Sequence, residues 1–285
     1  MVAGDGGSAG KVGASAPSAS RAGRNLPAAI GVGATLGALI ICTLIFFPHG
    51  WIPIVAVAMA VATWEVGSAL RTVGVPMLLL LPVLAGGQAM VWLAWYRAEA
   101  TLVAFVLTVV VCMVWRLWGP AENYLRDTSV SIFVAAWVPL FGATSVLLLV
   151  QDHGAARVFC LMIGVACSDI GGYAVGALFG KHAMVPSISP KKSWEGFAGS
   201  MLTGLLGGAL SFGLVLHASP WKGLLFGAAL AVVATVGDLI ESQVKRDLGI
   251  KDMGAMLPGH GGLMDRLDSV LPSAVVAWLL LSVLV

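Results

Sequence analysis

Long apolar runs, separated by short polar segments, follow one another from residue 27 to residue 285. Their apolar residues are continuous rather than alternating, which is typical of helices and not of membrane β-barrel strands. A bilayer core of about 30 Å needs about 20 apolar helical residues to cross it. The pattern predicts nine spans, at residues 27–47, 52–70, 75–96, 99–118, 129–150, 156–179, 197–217, 221–240 and 269–285. We expect the eighth helix to continue beyond its apolar part, to about residue 247.

The composition strengthens this interpretation. Hydrophobic residues make up 59% of the 285 residues and charged residues only 11%, against about 25% charged in an average soluble protein. So little polar surface excludes a soluble enzyme, a disulfide-stapled secreted domain and a disordered protein. The predicted fold class is therefore an all-α, polytopic integral membrane protein with about nine transmembrane helices.

The positions of the basic residues predict the orientation of these helices. Cytoplasmic loops of membrane proteins carry an excess of Lys and Arg. With the N-terminus inside and the C-terminus outside, thirteen of the 16 Lys and Arg residues face the cytoplasm. The outer segments then hold only Arg97, Arg157 and Lys222. This asymmetry favours both nine spans and the N-in, C-out topology.

The chain divides into three parts on this basis. Residues 1–26 are rich in Gly, Ala and Ser and are expected to form a disordered cytoplasmic tail. A cleaved signal peptide is the alternative, but the apolar stretch that follows is too long for one and has no small-residue cleavage site. Residues 27–155 contain helices one to five. Residues 156–285 contain helices six to nine and two polar cytoplasmic loops, 180–196 and 241–268.

Acidic residues gather where the second polar loop meets the membrane. Asp238 lies at the end of the eighth span, and Asp265 and Asp268 are one helical turn apart before the ninth. Unpaired carboxylates in a poorly solvated place repel one another, and a divalent cation removes that problem. All-oxygen ligands favour Mg²⁺ over zinc or copper. Asp169, deep in the sixth span, is a further candidate ligand or a member of a polar network, and Glu65 of the second span has a similar but weaker status.

Cationic and hydrogen-bonding residues accompany these acids. Cations that neutralise phosphate charge beside acids that hold a metal are what phosphoryl or nucleotidyl transfer requires. The candidates in the second loop are Lys245, Arg246, Lys251 and Arg266, with Ser242 on the same helix face as Asp238 and Lys245, and with His260, Gly261 and Gly262 in a Gly-rich stretch. The first loop adds Ser189, Lys191, Lys192 and Ser193 as donors to phosphate. The alternative is a solvated loop whose charges pair with one another and whose lysines merely anchor the topology.

The same residues resemble a known family. Ser-Gln-Val-Lys-Arg from Ser242, Lys-Asp-Met-Gly from Lys251 and Leu-Pro-Gly-His-Gly-Gly-Leu-Met-Asp-Arg-Leu-Asp ending at Asp268 are similar to the signature of the phosphatidate cytidylyltransferases. Ser-Pro-Lys-Lys-Ser-Trp-Glu-Gly from Ser189 resembles another recurrent stretch of that family. The specific resemblance covers residues 165–270, and the first five spans agree with it only in hydropathy.

The resemblance implies a reaction and its participants. Family members join CTP and phosphatidic acid to give CDP-diacylglycerol and pyrophosphate for phospholipid synthesis. It implies Mg²⁺, with a second cation of unassigned identity, a multi-pass location in the inner (plasma) membrane with the site on the cytoplasmic side, and a homodimer. No nucleic-acid partner is expected.

Three groups of site residues follow from the residues and the resemblance together. The catalytic candidates are Lys245, Arg246, Lys251, Asp265 and Arg266. The substrate-binding candidates are Ser189, Lys191, Lys192, Ser193, Ser242, His260, Gly261 and Gly262. The metal-ligand candidates are Asp238, Asp265 and Asp268, with Asp169 as a further one.

Two other functions remain open from the sequence. A CTP-dependent polyprenol or lipid kinase would need similar phosphate and metal groups. An ion-coupled transporter, from a different functional class, would also carry buried acids. A transporter would be expected to have polar residues on both faces of the membrane, whereas the predicted outer face has few.

Overall fold

The computed structural model describes residues 26–76, 79–256 and 261–285. Each of the nine apolar runs lies on helical structure. The helices are α1 (Leu26–Phe46), α2 (Trp51–Leu70), α3 (Leu80–Leu93), α4 (Ala98–Arg116), α5 (Tyr124–Ala135), α6 (Phe141–Leu149), α7 (Gly154–Phe179), α8 (Trp194–Leu214), α9 (Pro220–Asp247), α10 (Met264–Leu267) and α11 (Val270–Leu284). Helix α9 ends at Asp247, so the predicted extension beyond residue 240 is confirmed.

Seven helical segments among the described residues are long and apolar enough to cross a membrane. They contain α2, α4, the joined α5 and α6, α7, α8, α9, and the joined α10 and α11. Helix α3 and the part of α1 from Gly33 to Phe46 are apolar but shorter. The all-α, polytopic membrane fold is therefore confirmed, while the count of nine spans, the N-in orientation and the three-part division of the chain stay predictions.

A local irregularity joins α5 to α6. Residues Ala136–Leu140 form a π-helical turn that contains Pro139. Proline has no backbone N–H to donate, so it disturbs the regular hydrogen-bond ladder of an α-helix. A π turn absorbs the disturbance without ending the helix, and the segment Tyr124–Leu149 remains one candidate span.

Glycines bring α7, α8 and α9 into backbone contact. A Cβ atom at Gly196 of α8 would lie 3.1 Å from the carbonyl oxygen of Gly172 in α7. On the other side of α8, a Cβ at Gly227 of α9 would lie 2.7 Å from the carbonyl carbon of Gly204. Small residues permit this close approach in membrane helix pairs. The three helices therefore form a tightly packed unit, and α11 packs against α9, α7 and α6.

The first polar loop contains the small sheet of the molecule. Strand β1 (Ala183–Val185) pairs antiparallel with β2 (Ser189–Ser193). The prolines at 186 and 190 predict extended backbone here, and the hairpin adds strand structure to an otherwise helical fold. Its base is closed where the Trp194 amide donates to the His182 carbonyl at 2.9 Å. The hairpin leads directly into α8, so it lies at the end of the α7–α8 pair.

Candidate active site

A cavity of about 850 Å³ lies where the two polar loops meet the helices. Its walls come from the C-terminal half of α7, the start of α8, the middle of α9, the hairpin, and the α10–α11 junction. Ten of the residues predicted for the site line it: Asp169, Ser189, Lys191, Lys192, Ser193, Asp238, Lys245, Asp265, Arg266 and Asp268. Side chains as far apart in sequence as Asp169 and Asp268 are thus brought to one chamber.

Five acidic residues line this cavity, and three of them, Asp169, Asp238 and Asp268, interact electrostatically. Asp268 lies within electrostatic range of both Asp238 and Asp169. Asp238 Oδ2 is 2.7 Å from Lys192 Nζ, and Asp169 Oδ2 accepts a hydrogen bond of 3.2 Å from Ser269 Oγ. The oxygens of these carboxylates are the donor type that a hard divalent cation prefers. Among the described residues, however, no three acidic, His or Cys side chains converge closely enough to form a metal cluster.

Lys245 is held between two buried acids. Its Nζ donates to Asp265 Oδ1 at 2.9 Å and to Glu241 Oε2, four residues earlier on α9. The Glu241 side chain is fully buried, that of Asp265 is 5% exposed and that of Lys245 is 16% exposed. The position of the lysine is therefore fixed from two sides, and its ammonium group lines the cavity.

The Asp265 carboxylate also organises the loop that precedes it. Its oxygens accept hydrogen bonds from the Met253 amide, at 3.0 and 3.2 Å, and from the Gly262 amide at 2.8 Å. Gly261, next to this contact, has a φ of +83°, a conformation that residues with a Cβ rarely adopt. Both Asp265 oxygens thus have protein donors, which gives the residue a positioning role, while its assignment as a metal ligand stays a prediction.

Other predicted residues lie beside the cavity rather than in its walls. Arg246 Nε donates to the Ile188 carbonyl at 3.2 Å and so holds the turn of the hairpin. Ser242 Oγ donates to Asp238 Oδ1 at 3.3 Å. Lys251 is exposed on the loop after α9. Gly261 and Gly262 act through their contacts with Asp265, and His260 lies outside the described residues.

Two buried acids near the site were not assigned to it from the sequence. Glu241 precedes Lys245 by one helical turn, but helical spacing alone cannot show that it is the buried partner of Lys245. Glu65 of α2 is 4% exposed, and its Oε2 accepts a hydrogen bond of 2.8 Å from the Met264 amide. The one available signal for Glu65 was an ionisable residue within an apolar span, which does not identify a partner 199 residues away.

Comparison with known proteins identifies the family of the chain. Residues 28–284 match the model of the cytidylyltransferase family. The chain is 53% identical to a phosphatidate cytidylyltransferase of Mycobacterium leprae over 93% of this chain and 90% of the relative. It is 52% identical to one of Mycobacterium bovis over 93% and 91%. A Helicobacter pylori protein of the same name is 43% identical over 44% of this chain and 47% of its own. The chain therefore belongs to the cytidylyltransferase family.

Proposed function

We propose that the protein transfers the cytidylyl group of CTP to phosphatidic acid, which yields CDP-diacylglycerol and pyrophosphate. Relatives that align over nine-tenths of both chains bear the name phosphatidate cytidylyltransferase. The observation that carries the proposal is the cavity at the end of the bundle, where acidic and basic residues from both polar loops line one chamber. These are the groups that nucleotidyl transfer needs.

In this reaction the protein has to position the two substrates and neutralise the charge of their phosphates. An oxygen of the phosphatidate phosphate attacks the α-phosphorus of CTP, and the bond from that phosphorus to the oxygen bridging to the β-phosphate breaks. The electron pair leaves with pyrophosphate. Because the lipid phosphate is already an anion at neutral pH, no side chain has to remove a proton from it. We assign neutralisation of the phosphates to Lys245 and Arg266 on one side of the cavity and to Lys191 and Lys192 on the other.

The carboxylates Asp169, Asp238 and Asp268 are the proposed holders of a divalent cation, which we infer to be Mg²⁺. Their shared cavity and mutual electrostatic repulsion support this, and Asp265 remains a fourth candidate. A bound cation supplies charge stabilisation to the phosphate oxygens of the nucleotide. The cation would also relieve the repulsion between these acids. A second cation stays a prediction.

The location of the cavity suits two substrates of opposite solubility. The hairpin and the loop after α9 are polar, so CTP can arrive from water at that end. On the α7 side, Tyr173 lines the cavity and is 81% exposed, and its neighbours Ile170 and Leu178 are 69% and 75% exposed. This apolar surface faces lipid in a membrane-spanning helix, from which phosphatidic acid can enter. We propose that the site opens on the cytoplasmic face of the inner membrane and that the protein works as a homodimer.

Labelled nucleotide tests the proposed reaction directly. Purified protein in detergent is incubated with phosphatidic acid, Mg²⁺ and CTP labelled at either the α- or the γ-phosphate. We expect the α-label to appear in lipid and the γ-label in pyrophosphate. Transfer of the γ-label to lipid would instead establish a lipid kinase, and no transfer of either label would refute the proposal.

A further inference from the structure

Glu65 connects the N-terminal half of the bundle to the candidate site. It lies on α2, which contributes no residue to the wall of the cavity, and its side chain is almost completely buried. Its Oε2 accepts a hydrogen bond from the Met264 amide at 2.8 Å. Burial of a carboxylate in a membrane protein costs free energy, so the residue calls for an explanation beyond packing.

Two glycines of the loop enclose this carboxylate. A Cβ atom at Gly254 would meet three atoms of Glu65, with its Cδ only 2.6 Å away. A Cβ at Gly262 would lie 2.6 Å from Glu65 Oε2. The backbone at Gly254 and at Gly262 therefore packs closely against the carboxylate, and a side chain at either position would push it away.

A short chain of contacts leads from Glu65 to the cavity. Gly262, which packs on Glu65, donates its amide to Asp265 Oδ2 at 2.8 Å. Asp265 in turn accepts from Lys245 Nζ at 2.9 Å. Displacement of the loop from Glu65 would thus move both Asp265 and Lys245, two residues of the cavity wall.

We propose that Glu65 is a positioning residue, whose carboxylate fixes the loop between α9 and α10 and so holds Asp265 and Lys245 in their working geometry. This inference rests on the proposed cytidylyl transfer and adds to it a residue from the N-terminal half. A misplacement of about 1 Å at a reacting group can reduce turnover about a hundredfold. Glu65 acts on kcat through geometry and does not touch substrate.

Steady-state kinetics of purified variants test the proposal. Glu65→Ala is expected to lower kcat per folded molecule by about 10- to 100-fold, with a much smaller change in the KM for CTP. Glu65→Gln keeps an acceptor for the Met264 amide and should stay within about threefold of the wild-type kcat. The control is Met59→Ala, a truncation on the same helix that faces Gly142 of α6; it should lower stability but leave kcat unchanged.

A double-variant cycle identifies the contact. Gly254→Ala places its methyl against Glu65 and should lower kcat, yet it should cause little further loss in the Glu65→Ala background, because the obstructing atoms are gone. The effects of two substitutions on kcat are non-additive when the two residues interact, whereas independent effects add. If Glu65→Ala does not fold, Glu65→Gln and Gly254→Ala carry the same test.

Amide hydrogen exchange separates this proposal from the proposed reaction. Exchange at Met253, Gly262 and Met264 should accelerate in Glu65→Ala but not in Met59→Ala, whatever the enzyme catalyses. Unchanged exchange, or a kcat in Glu65→Ala equal to that of Met59→Ala, would overturn the positioning role. An inactive wild-type protein with accelerated exchange in Glu65→Ala would instead refute the reaction and leave the loop contact established.

Discussion

Replacement of Lys245 by Met should both stop catalysis and destabilise the protein, and the two effects can be separated. The substitution removes the cation between Glu241 and Asp265, whose side chains are 0% and 5% exposed. Asp265 keeps the amide donors of Met253 and Gly262. Glu241 is left without the lysine, and its Oε1 already has no hydrogen-bond partner among the residues that the structure describes.

The size of the stability loss follows from this geometry. Two unit charges 2.9 Å apart attract by about 6 kcal/mol at an effective dielectric constant of 20. Most of this attraction is offset by the desolvation of both groups. Removal of one partner of a buried ion pair costs about 3–5 kcal/mol, because it leaves an uncompensated charge. We therefore expect Lys245→Met to lower the free energy of unfolding by about 3–5 kcal/mol.

A second variant restores stability without restoring activity. In Glu241→Leu/Lys245→Met, the Glu241 carboxylate that has lost its lysine is also replaced, by an apolar side chain of similar size. Replacement of both partners of a buried pair is often neutral or stabilising, so most of the lost stability should return. Turnover should remain at least about a hundredfold below wild type in both variants, because the ammonium group of Lys245 no longer neutralises the phosphates.

Unfolding by SDS titration in detergent, together with transfer of α-labelled CTP to lipid, measures both quantities. The matched control is Lys222→Met, the same substitution at the other end of α9, where the lysine donates to the Leu284 carbonyl at 2.6 Å. It should retain full turnover. A Lys245→Met protein as stable as wild type would refute the buried-charge reasoning, and an active double variant would refute the role of Lys245 in catalysis.

Three further substitutions test separate parts of the structure. Arg157→Met removes a buried cation that donates to the Leu281 carbonyl at 2.6 Å; it should lower the free energy of unfolding by about 2–4 kcal/mol and leave kcat unchanged in the same transfer assay. Gly227→Leu forces a side chain against the Gly204 backbone and should prevent recovery of folded, monodisperse protein from detergent, whereas normal yield would contradict the close contact. Asp268→Asn should raise the Mg²⁺ concentration for half-maximal turnover by tenfold or more, and an unchanged Mg²⁺ dependence would remove it from the cation site.

Most of the helices were predictable because they lie in apolar runs of about the length that a bilayer requires, which is set by membrane thickness rather than by neighbours. The extension of α9 to Asp247 was predictable as well, since Asp238 and Lys245 keep helical spacing beyond the apolar part. For residues 183–193 the prolines predict extended backbone but not the hairpin, because the pairing of a strand depends on a second strand. The π turn at Pro139 was not foreseen, since it depends on how the helix continues past the proline.

The composition of the candidate site was predictable to a greater extent than its internal arrangement. Ser189, Lys192 and Asp238 could be assigned from residue type and position relative to the membrane. Residue type and position do not distinguish the role of Arg246 from that of Lys245. Arg246 contacts the hairpin turn, whereas Lys245 lines the cavity. The side chains of neighbouring helix residues point about 100° apart around the helix axis. Only the packing of the other elements decides which of these side chains faces the site.

The hydrogen bond between Glu65 and Met264 also has a consequence for the synthesis of the protein. A chain that enters the membrane from its N-terminus places α2 there long before the Met264 amide exists, since 199 residues separate them. At 5–20 residues per second this interval lasts roughly 10–40 s. During that time the Glu65 carboxylate lacks this hydrogen-bond donor. Translation through Met264 would then supply the donor, so that the loop geometry is established only after α2 to α9 have been made.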